Sequence, residues 1–247
     1  MIAMPTLWWT LGIAGFAAWM VVVVQQIEGK LKALYTDSPF LIDLIKNLGG
    51  GNAQFNAAFL GAMFSLLPLL LMAFAVTQVN RWTADEDDGR LEIVLSTPQS
   101  RPVILFGRFA ALATSTLIVG LATLAGSAVA SAATGIKLDA ANLAEATLGL
   151  VPMALFVAAI GYLASGWLRT AADTGLISFL LAAWFFLTFV GPELKLPEAT
   201  LKLSPFYYYG TPLLHGLQPA NLAVIVGVGA VALGLATLRF ARKDIGV

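Results

Sequence analysis

Six stretches of the chain contain no Asp, Glu, Lys or Arg: residues 1–27, 47–80, 109–136, 146–168, 174–192 and 203–238. A membrane helix needs about 20 mostly apolar residues, and each stretch holds roughly one. The pattern predicts six spans, at about 7–24, 55–79, 103–133, 146–168, 175–190 and 221–238, in an all-α polytopic fold. The whole of 1–247 is then a single transmembrane domain. The second span carries 12 Leu, Val or Phe residues. At about −0.3 to −0.6 kcal/mol each, they favour insertion by about 4 to 7 kcal/mol. Pro68, near its centre, predicts a kink.

The connectors have their own patterns. Ser38-Pro39 reads as an N-cap with Pro at the first helical position. Phe40, Leu41, Leu44, Ile45 and Leu48 then form one apolar stripe, stopped by Gly49-Gly50-Gly51. This predicts a short amphipathic helix on the membrane surface or on a neighbouring span. Arg169 to Asp173 is all that separates spans 4 and 5, so these form a tight hairpin. The connector before span 6 contains Pro192, Pro197, Pro205, Pro212 and Pro219, which predict short broken helices. Small residues recur in span 3 (Ala122, Gly126, Ala130) and in span 6 (Ala223, Gly227, Ala230, Gly234). Both stripes are candidate faces for close helix packing.

Composition narrows the function. Charged residues make up 11% of the chain and hydrophobic residues 59%. Soluble domains average about 25% charge, so a soluble enzyme is excluded. Net charge is zero, and no basic face argues for nucleic acid. The absence of cysteine removes disulfides and thiolate chemistry, and a single His215 cannot build a histidine cluster. His215 reads as an interfacial side chain, with a ligand role as the alternative. Residues 1–24 lack a basic n-region, and their apolar run is longer than a signal peptide needs, so they read as a retained helix. Trp8, Trp9, Trp82 and Trp167 are candidates for interfacial belts, as is the run Tyr207 to Tyr209, with a gate role as its alternative.

Orientation follows from basic residues near the span ends. With both termini cytoplasmic, Arg81, Arg90, Arg101, Arg108, Arg169, Arg239, Arg242 and Lys243 lie inside, while Lys30, Lys32, Lys46, Lys137, Lys195 and Lys202 lie outside. A charge at the bilayer centre costs at least about 2.5–3.5 kcal/mol and usually marks an ion or proton path. The span centres here contain none. The sequence also lacks a Gly-x-x-x-x-Gly-Lys-Ser/Thr phosphate loop. Energy for active transport would come from another polypeptide.

The most polar segment joins spans 2 and 3. Thr83, with Glu86 three residues on, has the spacing of a capping box. Asp85, Glu86 and Asp87 would then occupy a first turn, where the helix dipole favours negative charge. Leu91, Val94 and Leu95 fall on one stripe, and Pro98 ends the helix. Ser100 can cap the next helix, with Pro102 in its first turn. The reading is a short helix over about 84–95. It is either solvated or a docking surface for a cytoplasmic partner, since an apolar stripe beyond the membrane needs a cover.

In Glu86, Gly89, Glu92, Leu95-Ser96, Pro98 and Ser100-Arg101, this segment resembles the first cytoplasmic loop of ABC-2 type permeases, the membrane subunits of ATP-driven exporters. Six spans and a basic C-terminal tail fit the same family, and the long first connector is most similar to its antibiotic-export members. The resemblance implies an export permease in the cell membrane, not itself an enzyme. It would have no cofactor on this chain, and ATP and Mg would be bound by separate ATPase subunits. Residues 84–95 would be a coupling helix seated on that subunit, with Glu86, Asp88, Arg90 and Glu92 as polar contacts and Leu91, Val94 and Leu95 as the apolar anchor. Gly89, Ser96 and Arg101 complete the contact set.

The resemblance also implies a second permease protomer, of the same or another chain, around one pathway for a hydrophobic or amphiphilic substrate. Spans 2 and 5 would line it, making Phe64, Phe185, Phe186 and Thr188 pathway candidates. The competing reading of these four is packing against lipid or neighbouring helices. Such permeases usually carry a basic amphipathic helix before span 1, whereas this sequence has no charge before Glu28. Two other classes stand as alternatives: a membrane-embedded assembly protein, and an ion-gradient-driven carrier, although a proton-coupled carrier would usually need a charge in its spans.

Overall fold

The computed structural model describes residues 3–37, 59–87, 100–168 and 170–242, with side chains described except at 27–37, 86–87 and 170–171. The amphipathic helix expected after Ser38, residues 88–99 of the loop segment and the last five residues lie outside them. The described residues form helices and turns, with no strand. Six helical segments are long and apolar enough to cross a membrane: Ala3–Gln26, Phe59–Asp85, Arg101–Thr134, Ala140–Ala164, Ala172–Phe189 and Pro219–Arg242. The fold is all-α and multi-pass.

The helices are α1 (Ala3–Asp37), α2 (59–64), α3 (Leu67–Asp87), α4 (Arg101–Thr134), α5 (Ala140–Leu148), α6 (Leu150–Ala164), α7 (Thr170–Phe189) and α11 (Pro219–Arg242). Between α7 and α11 lie three short ones, α8 (Glu198–Leu201), α9 (Pro205–Tyr209) and α10 (Pro212–His215). The end of the bundle where 88–99 joins α3 to α4 is called the loop end; α8 to α10 sit at the far end.

Local chemistry explains the breaks. Pro68 has no N–H, and its ring excludes the carbonyl of Phe64, one turn back. The second span is accordingly interrupted at Ser65-Leu66, between α2 and α3. Ser100 occupies the N-cap position of α4 with Pro in the first turn, but its side chain makes no capping hydrogen bond. Gly135 ends α4 at φ 72°, a left-handed C-cap that glycine adopts without strain. The fourth span starts at Ala140 rather than Ala146, and Asp139 caps it by accepting from Asn142 N at 2.9 Å. Glu145 therefore lies inside that helix, a position the charge-free interval could not reveal.

At the other membrane face, Thr83 is not an N-cap. The helix α3 runs through it to Asp87, and the Thr83 hydroxyl donates to Asn80 O at 3.0 Å. Between Pro68 and Gly89 no residue breaks a helix, so the span simply continues.

The helix α6 is central, packing on α3 and α11, while α1 packs mainly on α4. Small residues set the α1–α4 approach. A Cβ added at Gly126 would lie 3.3 Å from Ala14 O. The span 6 stripe behaves differently: Ala223, Gly227, Ala230 and Gly234 are all exposed, and a Cβ at Gly227 or Gly234 would meet nothing within 4 Å. The buried face of α11 is Ile225, Gly229, Ala232, Ala236 and Phe240, with Gly229 against Phe156. This second face also carries small residues, Gly229, Ala232 and Ala236, flanked by Ile225 and Phe240, so the spacing of small residues alone did not tell the two faces apart.

The far end is tied by hydrogen bonds. Tyr209 Oη donates to Ala146 O at 2.6 Å, Leu217 N donates to the Glu145 carboxylate, and Asn142 Nδ2 donates to Leu213 O and Leu214 O, each at 3.4 Å. Tyr209 is buried, not in a belt, and burial pushes its phenol well above the ordinary range. On the surface beside it, hydrogen bonds from Lys202 and Tyr207 hold the Glu198 carboxyl below its usual value.

These contacts distinguish the two faces of α11. Gly229→Leu pushes a side chain into Phe156 and should cost about 1–3 kcal/mol. Gly227→Leu points outward and should leave the midpoint of thermal unfolding in detergent nearly unchanged. Equal melting shifts for the two variants would contradict this packing.

Candidate functional site

A groove of about 590 Å³ runs between α3 and α7. Its apolar walls come from Leu69, Ala73 and Val76 on α3 and from Leu181, Ala182, Phe185 and Phe186 on α7. Toward the loop end it turns polar, with Thr77 and Asn80 facing Thr174 and Ser178. Spacings of three on one helix and four on the other put each pair on a single face. Thr174 Oγ1 donates to Asn80 Oδ1 at 2.7 Å, bridging the two helices. The neighbouring Asp173 is fully buried in the first turn of α7, where the helix dipole favours a carboxylate, and does not line the groove.

Toward the far end the groove meets aromatic rings. Phe185 lies 4.4 Å from Phe189 and 6.0 Å, edge-on, from Phe206. Beyond them is a smaller recess of about 310 Å³, lined by Ser65, Thr188, Phe189, Phe206 and Tyr209 among others. Thr188 is also a structural tie. Its hydroxyl donates to Ser204 Oγ at 2.7 Å, which in turn donates to Trp184 O at 2.9 Å. On the other flank of Leu69, a recess of about 560 Å³ opens between α1 and the second span, walled by Trp8, Phe16 and Leu70. Trp9 packs on Phe74 at 5.8 Å, near the middle of the second span.

The second feature is a joint at the loop end. Arg108 on α4 donates to Asp85 at the end of α3, 2.8 Å apart, and its guanidinium lies 4.6 Å from the ring centre of Trp82. Trp82 is 1% exposed, not a belt residue. Its ring meets Tyr162 of α6 at 5.8 Å and Phe240 of α11 at 5.2 Å, both edge-on. Four of the six spans therefore converge on one indole. Acidic residues end α3, where the helix dipole disfavours them, and the Arg108 cation offsets that cost at Asp85. Alongside, Arg239 lies 5.6 Å over Trp167, and a Cβ on Gly166 would fall 2.7 Å from Arg239 Cγ.

The sequence-predicted site residues divide three ways. Phe185 and Phe186 line the groove, Thr188 lines the far-end recess, and Phe64 is buried outside both. Glu86 belongs to the last turn of α3 and Arg101 to the first turn of α4. Asp88, Gly89, Arg90, Leu91, Glu92, Val94, Leu95 and Ser96 lie outside the described residues. Asn80, Thr77, Thr174 and Ser178 escaped sequence reasoning. Their signal was available: polar residues at helical spacing close to the ends of two adjacent apolar spans.

Residues 3–241 match the family described as the C-terminal domain of the multidrug efflux system permease Rv1217c. The chain belongs to this family. A curated relative, the multidrug efflux system permease protein Rv1217c of Mycobacterium tuberculosis (strain ATCC 25618 / H37Rv), is 28% identical over 254 aligned positions. The alignment covers 96% of this chain and 42% of the relative, so the chain spans about two fifths of the relative's length. The family match includes the groove, the loop-end joint and the segment between α3 and α4. This chain is thus a multi-pass membrane protein of that C-terminal-domain family.

The joint's energetics are uneven. Trp82→Ala empties a buried site shared by four helices and should cost about 3–5 kcal/mol. Asp85→Asn breaks a partly exposed ion pair and should cost at most about 1 kcal/mol. Thermal unfolding of the purified chain compares the two, and a larger loss for Asp85→Asn would mean the ion pair, not the indole, holds the joint.

Proposed function

We propose that the chain is the membrane subunit of an ATP-driven exporter of ABC-2 type, moving hydrophobic or amphiphilic substrates out of the cytoplasm. The observation that carries this reading is the groove between α3 and α7, apolar along most of its length and with no charged side chain among the described residues of its walls. Drug-sized ligands occupy pockets of about 300–1,000 Å³ that are mainly apolar with a few polar groups. The relative's name as a multidrug efflux permease supports the same substrate class.

The described lining offers no charged group for ion coupling, and the sequence has no Gly-x-x-x-x-Gly-Lys-Ser/Thr phosphate loop. Energy then enters through the loop end, which in this reading is cytoplasmic together with both termini, in the cell membrane. ATPase subunits, holding ATP and Mg, would seat residues 84–95. The polar contacts would be Glu86, Asp88, Arg90 and Glu92, the apolar anchor Leu91, Val94 and Leu95, and Gly89, Ser96 and Arg101 would complete the surface. A second permease protomer, the same chain or a related one, would cover the open side of the groove along α7, which is largely exposed in the single chain.

The test is reconstitution. Purified with its ATPase partner into proteoliposomes, the chain should move a lipophilic dye only when ATP is supplied, and collapse of ion gradients should leave the rate unchanged. Leu91→Ala removes an interface anchor worth more than about 1 kcal/mol and should cut ATP-dependent transport severalfold while the ATPase subunit still hydrolyses ATP. Transport that persists without ATP and stops on gradient collapse would identify an ion-driven carrier instead. A stable complex with no nucleotide-binding subunit and no dye movement would identify an assembly protein.

A further inference from the structure

We propose that the Asn80–Thr174 pair selects the cargo by recognising a hydrogen-bond acceptor on an uncharged amphiphile lodged in the α3–α7 groove. This rests on the groove being the pathway and adds the chemistry of the headgroup. Thr174 donates its hydroxyl proton to Asn80 Oδ1. That bond occupies the amide carbonyl and orients the amide, leaving its nitrogen, with two N–H donors, for a ligand. The neighbouring Thr77 hydroxyl is already engaged, donating to Phe74 O at 2.7 Å and accepting from Gln78 Nε2 at 3.2 Å. The Asn80 amide nitrogen thus presents donors at the polar end of the groove and suits a carbonyl, ether or hydroxyl oxygen, while the Ser178 hydroxyl beside it can donate or accept.

Charge is selected against. Among the described residues, none that lines the groove is Asp, Glu, Lys or Arg, and the charged sequence neighbours Arg81 and Asp173 lie outside its walls. A cationic headgroup would lose its hydration with no carboxylate to replace it, and it would face the positive ends of amide N–H dipoles. The Phe185 and Phe186 rings, which could attract a cation through their faces, stand at the opposite end of the groove and suit an apolar tail. An anionic headgroup would also lose its hydration, with no cation in the lining to replace it. The fit is a neutral head at the loop end and a hydrocarbon or aromatic body toward the far end.

The test uses the full chain in lipid nanodiscs and two fluorescent probes, with empty nanodiscs subtracted. Nile red is neutral and carries a carbonyl acceptor; rhodamine 6G is a cation. Wild type should bind Nile red about tenfold more tightly than rhodamine 6G. Asn80→Leu should weaken Nile red about threefold to tenfold, the range of one hydrogen bond, and Asn80→Asp should reverse the order of the two probes. Thr174→Val, which frees the amide to rotate, should weaken Nile red by a smaller factor and serves if Asn80→Leu does not fold. Equal affinity for both probes, or wild-type Nile red affinity in the folded Asn80 and Thr174 variants, overturns the proposal. Ala182→Trp, which fills the groove from an exposed position, separates the two levels. If it blocks both probes while Asn80→Leu changes nothing, the groove stands and the headgroup assignment falls. If both probes bind it as they bind wild type, the groove itself is not the site.

Discussion

Arg108 is held from two sides, by the Asp85 carboxylate and by the face of Trp82, and this contact locates the loop end of the bundle. Its importance follows from the medium. Helices in lipid gain little from hydrophobic association, because the tails around them are as apolar as their side chains. What remains is close packing along the spans and specific polar or aromatic contact at their ends. The chain uses both. Gly126 and Gly229 permit close approach in mid-span, the Trp82 cluster joins α3, α4, α6 and α11 at the loop end, and hydrogen bonds from Tyr209, Asn142 and Leu217 lock the far end.

The number and type of elements were legible because the two constraints behind them are strong and local. Charges are excluded from the hydrocarbon layer, so charge-free runs mark spans, and prolines mark breaks. Which face of each helix points inward was not legible. The span 6 stripe shows why: Gly227 and Gly234 have the spacing of a packing face, yet it is Gly229, on the other side, that meets Phe156 of α6, and Ala232 beside it is buried. In a soluble protein, polar residues would label the outer face. In a span, both faces are apolar and the label is missing. Trp82 illustrates the same ambiguity, since an indole near a span end serves equally as a belt or as a core.

Polar residues near the membrane surface were misread for a related reason. Thr83, Asp85 and Glu86 spell a helix start, and the capping signature is real as a pattern. However, the preceding apolar helix had no reason to stop, and Thr83 satisfies its hydroxyl by donating back to Asn80. Local capping energies of about 1 kcal/mol do not outweigh continuing a helix already nucleated and packed. The polar lining of the groove went unnoticed because Asn80 and Thr174 lie far apart in sequence and near the ends of their spans. Only the fold sets them 2.7 Å apart.

The arrangement constrains how work could reach the groove. The helix α3 is continuous from Leu67 to Asp87, so the groove residue Asn80 and the point where residues 88–99 begin belong to one rod. At 1.5 Å per residue they are only about 10 Å apart along its axis. The Trp82 joint prevents α3 from moving alone, because α4, α6 and α11 grip the same indole. By contrast α7 packs mainly on α3, is largely exposed, and meets α3 inside the groove through the Asn80–Thr174 hydrogen bond. A force applied at the loop end therefore acts on a four-helix body, and the seam with the least holding it is the one between that body and α7. That seam is the groove. In the proposed reading, the contact that would let the walls part also orients the Asn80 amide that a bound headgroup would use, so opening and recognition would draw on one hydrogen bond.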